Sequence, residues 1–304
     1  MILGRTPVAL LEAAGPAWMH SGVAVAASGE VVVAAPEGDA LLVLGADGPR
    51  RVPTPTTELH GITRDEIAGV EVFWVADNGH KYVPATPVYA DHRVAARLLA
   101  VDLAGVVRME LEAPQGEWSP TAIAVHGDTV WVADGYGQSL LHAFDRSGSC
   151  VLTTDGSDSG LAFDCPHGVV VDARAERIVV ADRANQRLVE LDLAGRFRRV
   201  LPAQVFSPSG LALDGDLLLV TELWGDLVVV GPDGEVVDRA SAQPVEPDRP
   251  GWPNAMRGGA MVAPVLSPGV LNSPHGIAVD TDGSWLLTEW CIGGRVTRLV
   301  AEEA

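Results

Sequence analysis

The sequence predicts an all-β chain, a six-bladed β-propeller of four-stranded blades, and three observations carry that prediction. A strand-rich unit recurs six times along the 304 residues. Each unit alternates β-branched residues between Asp/Gly turn signals, the pattern of hairpins and not of helices. The sixth unit supplies three clear strands, and a spare apolar stretch, "TPVALLEA", stands ahead of the first unit.

The units begin at Ser21, His60, Thr121, His167, Ser209 and His275. The fourth, "HGVVVDARAERIVVADRANQRLVELDLAG", reads as strand, turn, strand ending in Ala-Asp, short turn, third strand, Gly turn. Six such units are the signature of a six-bladed ring. The amino-terminal stretch is expected to complete the last blade and leave no open edge. One domain over residues 1–304 follows. Two insertions break the period, at about 80–98 in the second repeat and at about 238–272 between the fifth and sixth. The second insertion is Pro/Gly-rich, and its Trp252 and Met256 point to ordered packing.

Composition narrows the function. Hydrophobic residues make up 47% of the chain and aromatic residues only 5%, so the core must be mainly Val, Leu, Ile and Ala. A formal charge of −19 repels phosphate backbones and anionic lipid, so neither nucleic acid nor a membrane is an expected partner, and a small molecule is. No apolar run has the length of a membrane span. The start lacks a cationic head followed by a long apolar stretch, and Cys150, Cys165 and Cys291 form no disulfide framework, so a cytoplasmic protein is expected. Oligomeric state is not legible.

The stretches "LHGIT" (59–63), "CPHGVVVD" (165–172) and "SPHGIAVD" (273–280) place a His-Gly pair at the mouth of an apolar strand in repeats two, four and six. Alternate blades of a six-bladed ring lie about 120° apart, and the first strand of each blade is innermost. His60, His167 and His275 are therefore expected to converge on the axis, where three imidazole nitrogens suit a metal ion and leave a fourth position for substrate. Zinc fits such a set; iron(II) and other divalent transition metals also accept it.

A second column lies where the second strand ends, on the same face. Its tips read "ADNGH", "ADGYG", "ADRAN", "TELWG" and "TEWCI". Most of these acids are expected to serve turns and strand ends. Tyr136 and Arg183 stand out, on neighbouring repeats beside His167. A metal cation and a guanidinium favour the phenolate of a nearby tyrosine, which makes Tyr136 a candidate general base.

These residues look like a known group. The "PHGIAVD…VAD…N.R" cadence resembles NHL-repeat propellers along nearly the whole chain, and within them the catalytic domain of peptidyl-α-hydroxyglycine α-amidating lyase. That family is a six-bladed propeller with a zinc held by three histidines, and its motifs are similar to "LHGI", "CPHGVVV" and "SPHGIAV". The resemblance implies His60, His167 and His275 as ligands, Tyr136 in "ADGYG" as the catalytic tyrosine, and Arg183 in "ADRAN" as a functional arginine. It also implies a structural calcium.

The chain departs from the family at several points. It has no arginine at the first-blade turn "AAPEG", Ser273 where the family has a methionine, and no counterpart of the family's disulfides. Arg257 is a candidate replacement for the missing cation. The implied reaction is cleavage of a carbinolamide, an N–C(OH) unit, into an amide and an aldehyde or 2-oxo acid, here on a small metabolite of a biosynthetic pathway. Two alternatives stand beside it. One is a metal-dependent hydrolase of lactones or esters, in which Glu222 and Glu289 contribute ligands. The other is a non-catalytic NHL binding scaffold. Cys165 and Cys291, near the expected site, read most simply as small buried residues.

Overall fold

The computed structural model describes residues 3–12, 15–85, 88–241, 256–257 and 260–302. Trp252 lies outside these residues, and Met256 and Arg257 are described as backbone only.

Six four-stranded antiparallel sheets form the blades. Blade I comprises Val23–Val25, Val31–Ala34, Ala40–Gly45 and Gly48–Pro53. Blade II comprises Leu59–Ile67, Val70–Asp77, Arg97–Val101 and Val107–Leu111. Blade III runs from Ala122 to Thr154, blade IV from Pro166 to Val200, and blade V from Pro208 to Ser241. Blade VI has Pro274–Val279 innermost, then Trp285–Glu289 and Arg295–Ala301. Its outermost strand is Arg5–Glu12, which runs antiparallel to Arg295–Ala301 with Arg5 opposite Ala301 and Glu12 opposite Arg295. The amino-terminal strand thus closes the ring, as its sequence predicts. Arg5 fastens the closure: its guanidinium lies 3.8 Å from the centre of the Trp285 ring and donates to the carbonyls of Gly283 and Leu299.

The near-continuous apolar runs have a simple cause, since a blade is buried on both faces. In Arg177–Asp182, Ile178 and Val180 pack toward blade III, while Val179 and Ala181 pack toward blade V. In Thr129–Asp134, Val130 and Val132 face blade II, and Trp131 and Ala133 face blade IV. The period-2 alternation of a strand therefore chooses a neighbour, where in a one-sided sheet it would choose core or solvent. Six apolar clusters result, one between each adjacent pair of blades. Each fully buried Val or Leu contributes about 1.5–3 kcal/mol.

The first insertion is a hairpin, His80–Pro84 paired with Tyr89–Arg93, placed between the second and third strands of blade II. It ends sooner than the sequence suggests, because Arg97 and Leu98 already pair with Asp77 and Ala76 in the blade. The second insertion also begins later than 238, because Val236–Ser241 is the outer strand of blade V. Among the described residues no helix is long and apolar enough to cross a membrane.

Candidate metal centre

The innermost strands surround an axial channel of about 370 Å³, walled by residues such as Val25, Val125 and Val171, with His60, His167 and His275 also in its lining. These three imidazoles are each at most 3% exposed, and they meet on the axis. Ring centroids lie 4.6 Å apart for His60–His167 and for His60–His275, and 5.0 Å apart for His167–His275.

Local chain geometry aims them there. The ladder between the first two strands is irregular at each histidine, between Leu59 and Gly61, Pro166 and Gly168, and Pro274 and Ile277. A bulge re-aims the side chain that it leaves unpaired. The glycine that follows has a packing role. A Cβ on Gly61 would stand 2.7 Å from the Thr121 carbonyl, and one on Gly168 would stand 2.2 Å from the Ser209 carbonyl. Histidine is needed for the axis, and glycine for the close approach of the next blade.

That close approach sets the tautomer. Nδ1 of His60 lies 2.6 Å from the Thr121 carbonyl oxygen, Nδ1 of His275 2.9 Å from that of Ser21, and Nδ1 of His167 3.4 Å from that of Ser209. A carbonyl only accepts, so each Nδ1 carries the proton and each Nε2 keeps its lone pair. Burial pushes the His275 pKa down to about 4 and lowers those of His60 and His167 well below the ordinary value, helped by neighbouring imidazoles and Arg183. All three are neutral near pH 7.

The Nε2 atoms of His60 and His275 are 3.2 Å apart. Two acceptors at that distance repel unless a cation lies between them. A tetrahedral zinc with ligands at 2.0–2.1 Å requires nitrogens about 3.3–3.4 Å apart, so the donor set fits a transition metal.

Tyr136 follows the second strand of blade III. Its Oη lies 3.0 Å from His167 Nε2 and 3.3 Å from His60 Nε2. Arg183 follows the second strand of blade IV and donates through Nη2 to Tyr136 Oη at 3.3 Å and to Cys165 Sγ at 3.2 Å. Arg183 Nη1 is buried without a partner among the described residues. Burial raises the Tyr136 pKa, and the Arg183 charge opposes the rise. The guanidinium alone therefore does not bring the phenol below its ordinary value, because desolvation is the larger effect. Cys165, at φ 54°, has its thiol pushed up by burial. Cys291 is fully buried, with its pKa raised to about 12.

The second-column acids are structural. Asp77 accepts the backbone N–H groups of Thr57 and Glu58, and Asp134 those of Ser119 and Gln138. Glu222 accepts the Phe206 N–H and pairs with Arg239; Glu289 accepts the Ser273 N–H and pairs with Arg295. Glu222 and Glu289 are therefore not ligand contributors, which corrects the expectation attached to a hydrolase. Their carboxylates are committed to strand ends and arginines, and among the described residues the cluster at the axis contains histidines only. Ser273 donates to the Trp290 carbonyl and also serves structure.

Sequence reasoning missed a fourth imidazole. His20 joins His60, His167 and His275 in a cluster whose ligand atoms all lie within 4.8 Å of one another. It immediately precedes Ser21, the first position of the axial column, and that adjacency was the available signal.

The NHL repeat family matches residues 163–191, which span most of blade IV. No curated protein matches the chain in sequence. Among solved structures, a streptogramin B lyase superposes with a TM-score of 0.66 at 14% identity, over 98% of this chain and 98% of its own. Virginiamycin B lyase from Staphylococcus aureus, in a catalytically inactive form with quinupristin, gives a TM-score of 0.59 at 13% identity, over 97% and 99%. A Bacteroides thetaiotaomicron protein of unknown function gives 0.66 at 11% identity, over 98% and 76%. At such identities the likeness is one of fold: the chain is a six-bladed β-propeller that carries an NHL repeat in its fourth blade.

Proposed function

We propose that this protein is a metal-dependent lyase that cleaves the C–N bond of a carbinolamide on a small molecule, releasing an amide and an aldehyde or 2-oxo acid. One observation carries the reading: three neutral imidazoles, each oriented through Nδ1 by the next blade, converge with their Nε2 lone pairs beside Tyr136 Oη. The fold shared with proteins named as lyases supports the reaction class, and the resemblance of the histidine, tyrosine and arginine motifs to the amidating lyase supplies the bond.

His60, His167 and His275 would hold the metal, with zinc the best match to their chemistry. When bound, such a cation acts as a Lewis acid and lowers the pKa of a hydroxyl group close to it. With a bound cation beside it and Arg183 to hold it as the phenolate, Tyr136 Oη would take the proton of the substrate hydroxyl. The electron pair of that O–H bond becomes the new C=O bond, and the C–N pair leaves with nitrogen. Tyr136 then returns the proton to nitrogen, so the products balance without water. Arg183 holds Tyr136 through Nη2, and its buried Nη1, unpartnered among the described residues, would donate to an acceptor on the substrate. The loop face carrying Tyr136 and Arg183 is the route of approach, since Tyr136 is 36% exposed there.

The test joins metal content to product analysis. Purified protein should hold about one transition metal per chain, lost in His167→Ala. An N-acyl-α-hydroxyglycine should yield the primary amide and glyoxylate, with no labelled oxygen from water in the amide. Tyr136→Phe should keep the metal and lose about 10²–10⁴-fold in kcat. A wild type that takes up no zinc sinks the proposal, as does a Tyr136→Phe variant of undiminished kcat.

A further inference from the structure

His20 differs from the other three histidines in how it is held, and the difference points to a distinct task. We propose that His20 is a fourth, displaceable ligand of the metal centre, closing it at rest and swinging out when substrate arrives. This rests on the reading of the three-histidine cluster as a metal site.

Position comes first. The His20 ring centroid lies 4.1 Å from that of His60 and 4.5 Å from that of His275, no farther than the three axial rings are from one another. The short strand that delivers it, Trp18–Met19, pairs with Cys291–Ile292 next to blade VI. Trp18 stacks on Trp290 at 5.0 Å, and its carbonyl accepts from Lys81 Nζ at 3.0 Å. Lys81 is itself buried and paired with Glu58 at 2.8 Å. Desolvating such a pair is costly, and here its ammonium also fixes the backbone two residues before His20.

Freedom comes second. His60, His167 and His275 are buried and tied through Nδ1 to a neighbouring carbonyl. His20 is half-buried, and neither of its ring nitrogens has a hydrogen-bond partner among the described residues. An imidazole lacking that outer bond is less firmly held as a ligand than one that has it. The backbone thus presents His20 at the cluster, where its ring packs edge-on against those of His60 and His275 and no hydrogen bond braces it.

Chemistry comes third. Zinc with four protein ligands is closed and structural, whereas a catalytic site keeps one position open. A fourth imidazole on a partly exposed, unbraced side chain meets both needs in turn, protecting the centre at rest and vacating a place for substrate.

Cobalt(II) substitution tests this in wild type and His20→Ala. Wild type should bind one ion with the intense visible bands of a four-coordinate nitrogen site. His20→Ala should bind at least about tenfold more weakly with altered bands, and free imidazole should restore the wild-type spectrum. Melting of the metal-free variant should match that of the metal-free wild type. Identical affinity and bands in the two proteins would overturn the role of His20 and leave the three-histidine centre standing. A variant that melts several degrees lower and ignores imidazole would overturn it too, by making His20 structural. A wild type that binds no cobalt would instead remove the centre on which the inference rests.

Discussion

Gly168→Ala separates the packing role of the His-Gly pair from its chemistry. The added Cβ would stand 2.2 Å from the Ser209 carbonyl oxygen, where ordinary carbon–oxygen contacts are about 3.3–3.6 Å. Blades IV and V must therefore move apart locally by about 1.1 Å or more. Overpacking of that kind costs about 1–3 kcal/mol. For 304 residues the unfolding entropy at the midpoint is about 0.64 kcal/mol/K, so Tm should fall by about 1.5–5 °C. The same carbonyl orients His167 at 3.4 Å, and a further ångström ends that bond. Zinc affinity should drop about 10–100-fold, although no ligand has been touched. Gly45→Ala is the control, because its Cβ would meet only the flexible Glu30 carboxylate, at 3.0 Å, and stability should change by no more than about 0.5 kcal/mol. Scanning calorimetry and competition against a zinc chelator read both quantities. A Gly168→Ala protein that melts and binds zinc like wild type would refute the argument that the next blade sets the histidine.

Other parts of the molecule give equally direct tests. Glu289→Gln leaves Arg295, itself 3% exposed, without its counter-charge, which should cost about 3–5 kcal/mol in denaturant unfolding. Metal stoichiometry should stay at one per chain, and its loss would restore Glu289 as a ligand. His142 is buried away from the axis against Trp118, and burial lowers its pKa to about 4. Below about pH 6.5 the unfolded state takes up a proton that the folded state refuses, so stability is lost as pH falls toward 4. The full contribution is about 3 kcal/mol. His142→Gln should flatten that part of the metal-free protein's stability curve by this amount, and parallel curves for the two proteins would contradict the assignment.

The strands were legible in the sequence because each blade repeats the same turn chemistry, and the ring closure because one strand was spare at one end and lacking at the other. The insertion boundaries were less so: "ARLLA" and "VVDRAS" are ordinary blade strands that adjoin hairpin or loop sequence with no composition change to mark the join. In the site, periodicity exposed His60, His167 and His275, and their neighbours in the ring, Ser21, Thr121 and Ser209, carry no imidazole. The structure gives those three a task, since each offers its carbonyl to the histidine of the preceding blade. The repeating element of the site is therefore a pair of blades, one giving an imidazole and the next orienting it, and the pair occurs three times around the ring. A backbone carbonyl leaves no mark in the identity of its residue, which is why sequence reasoning found the three histidines and not their orienters. His20 escaped for another reason: it belongs to the closing strand pair Trp18–Met19 and Cys291–Ile292, outside the repeat, where periodicity has nothing to say.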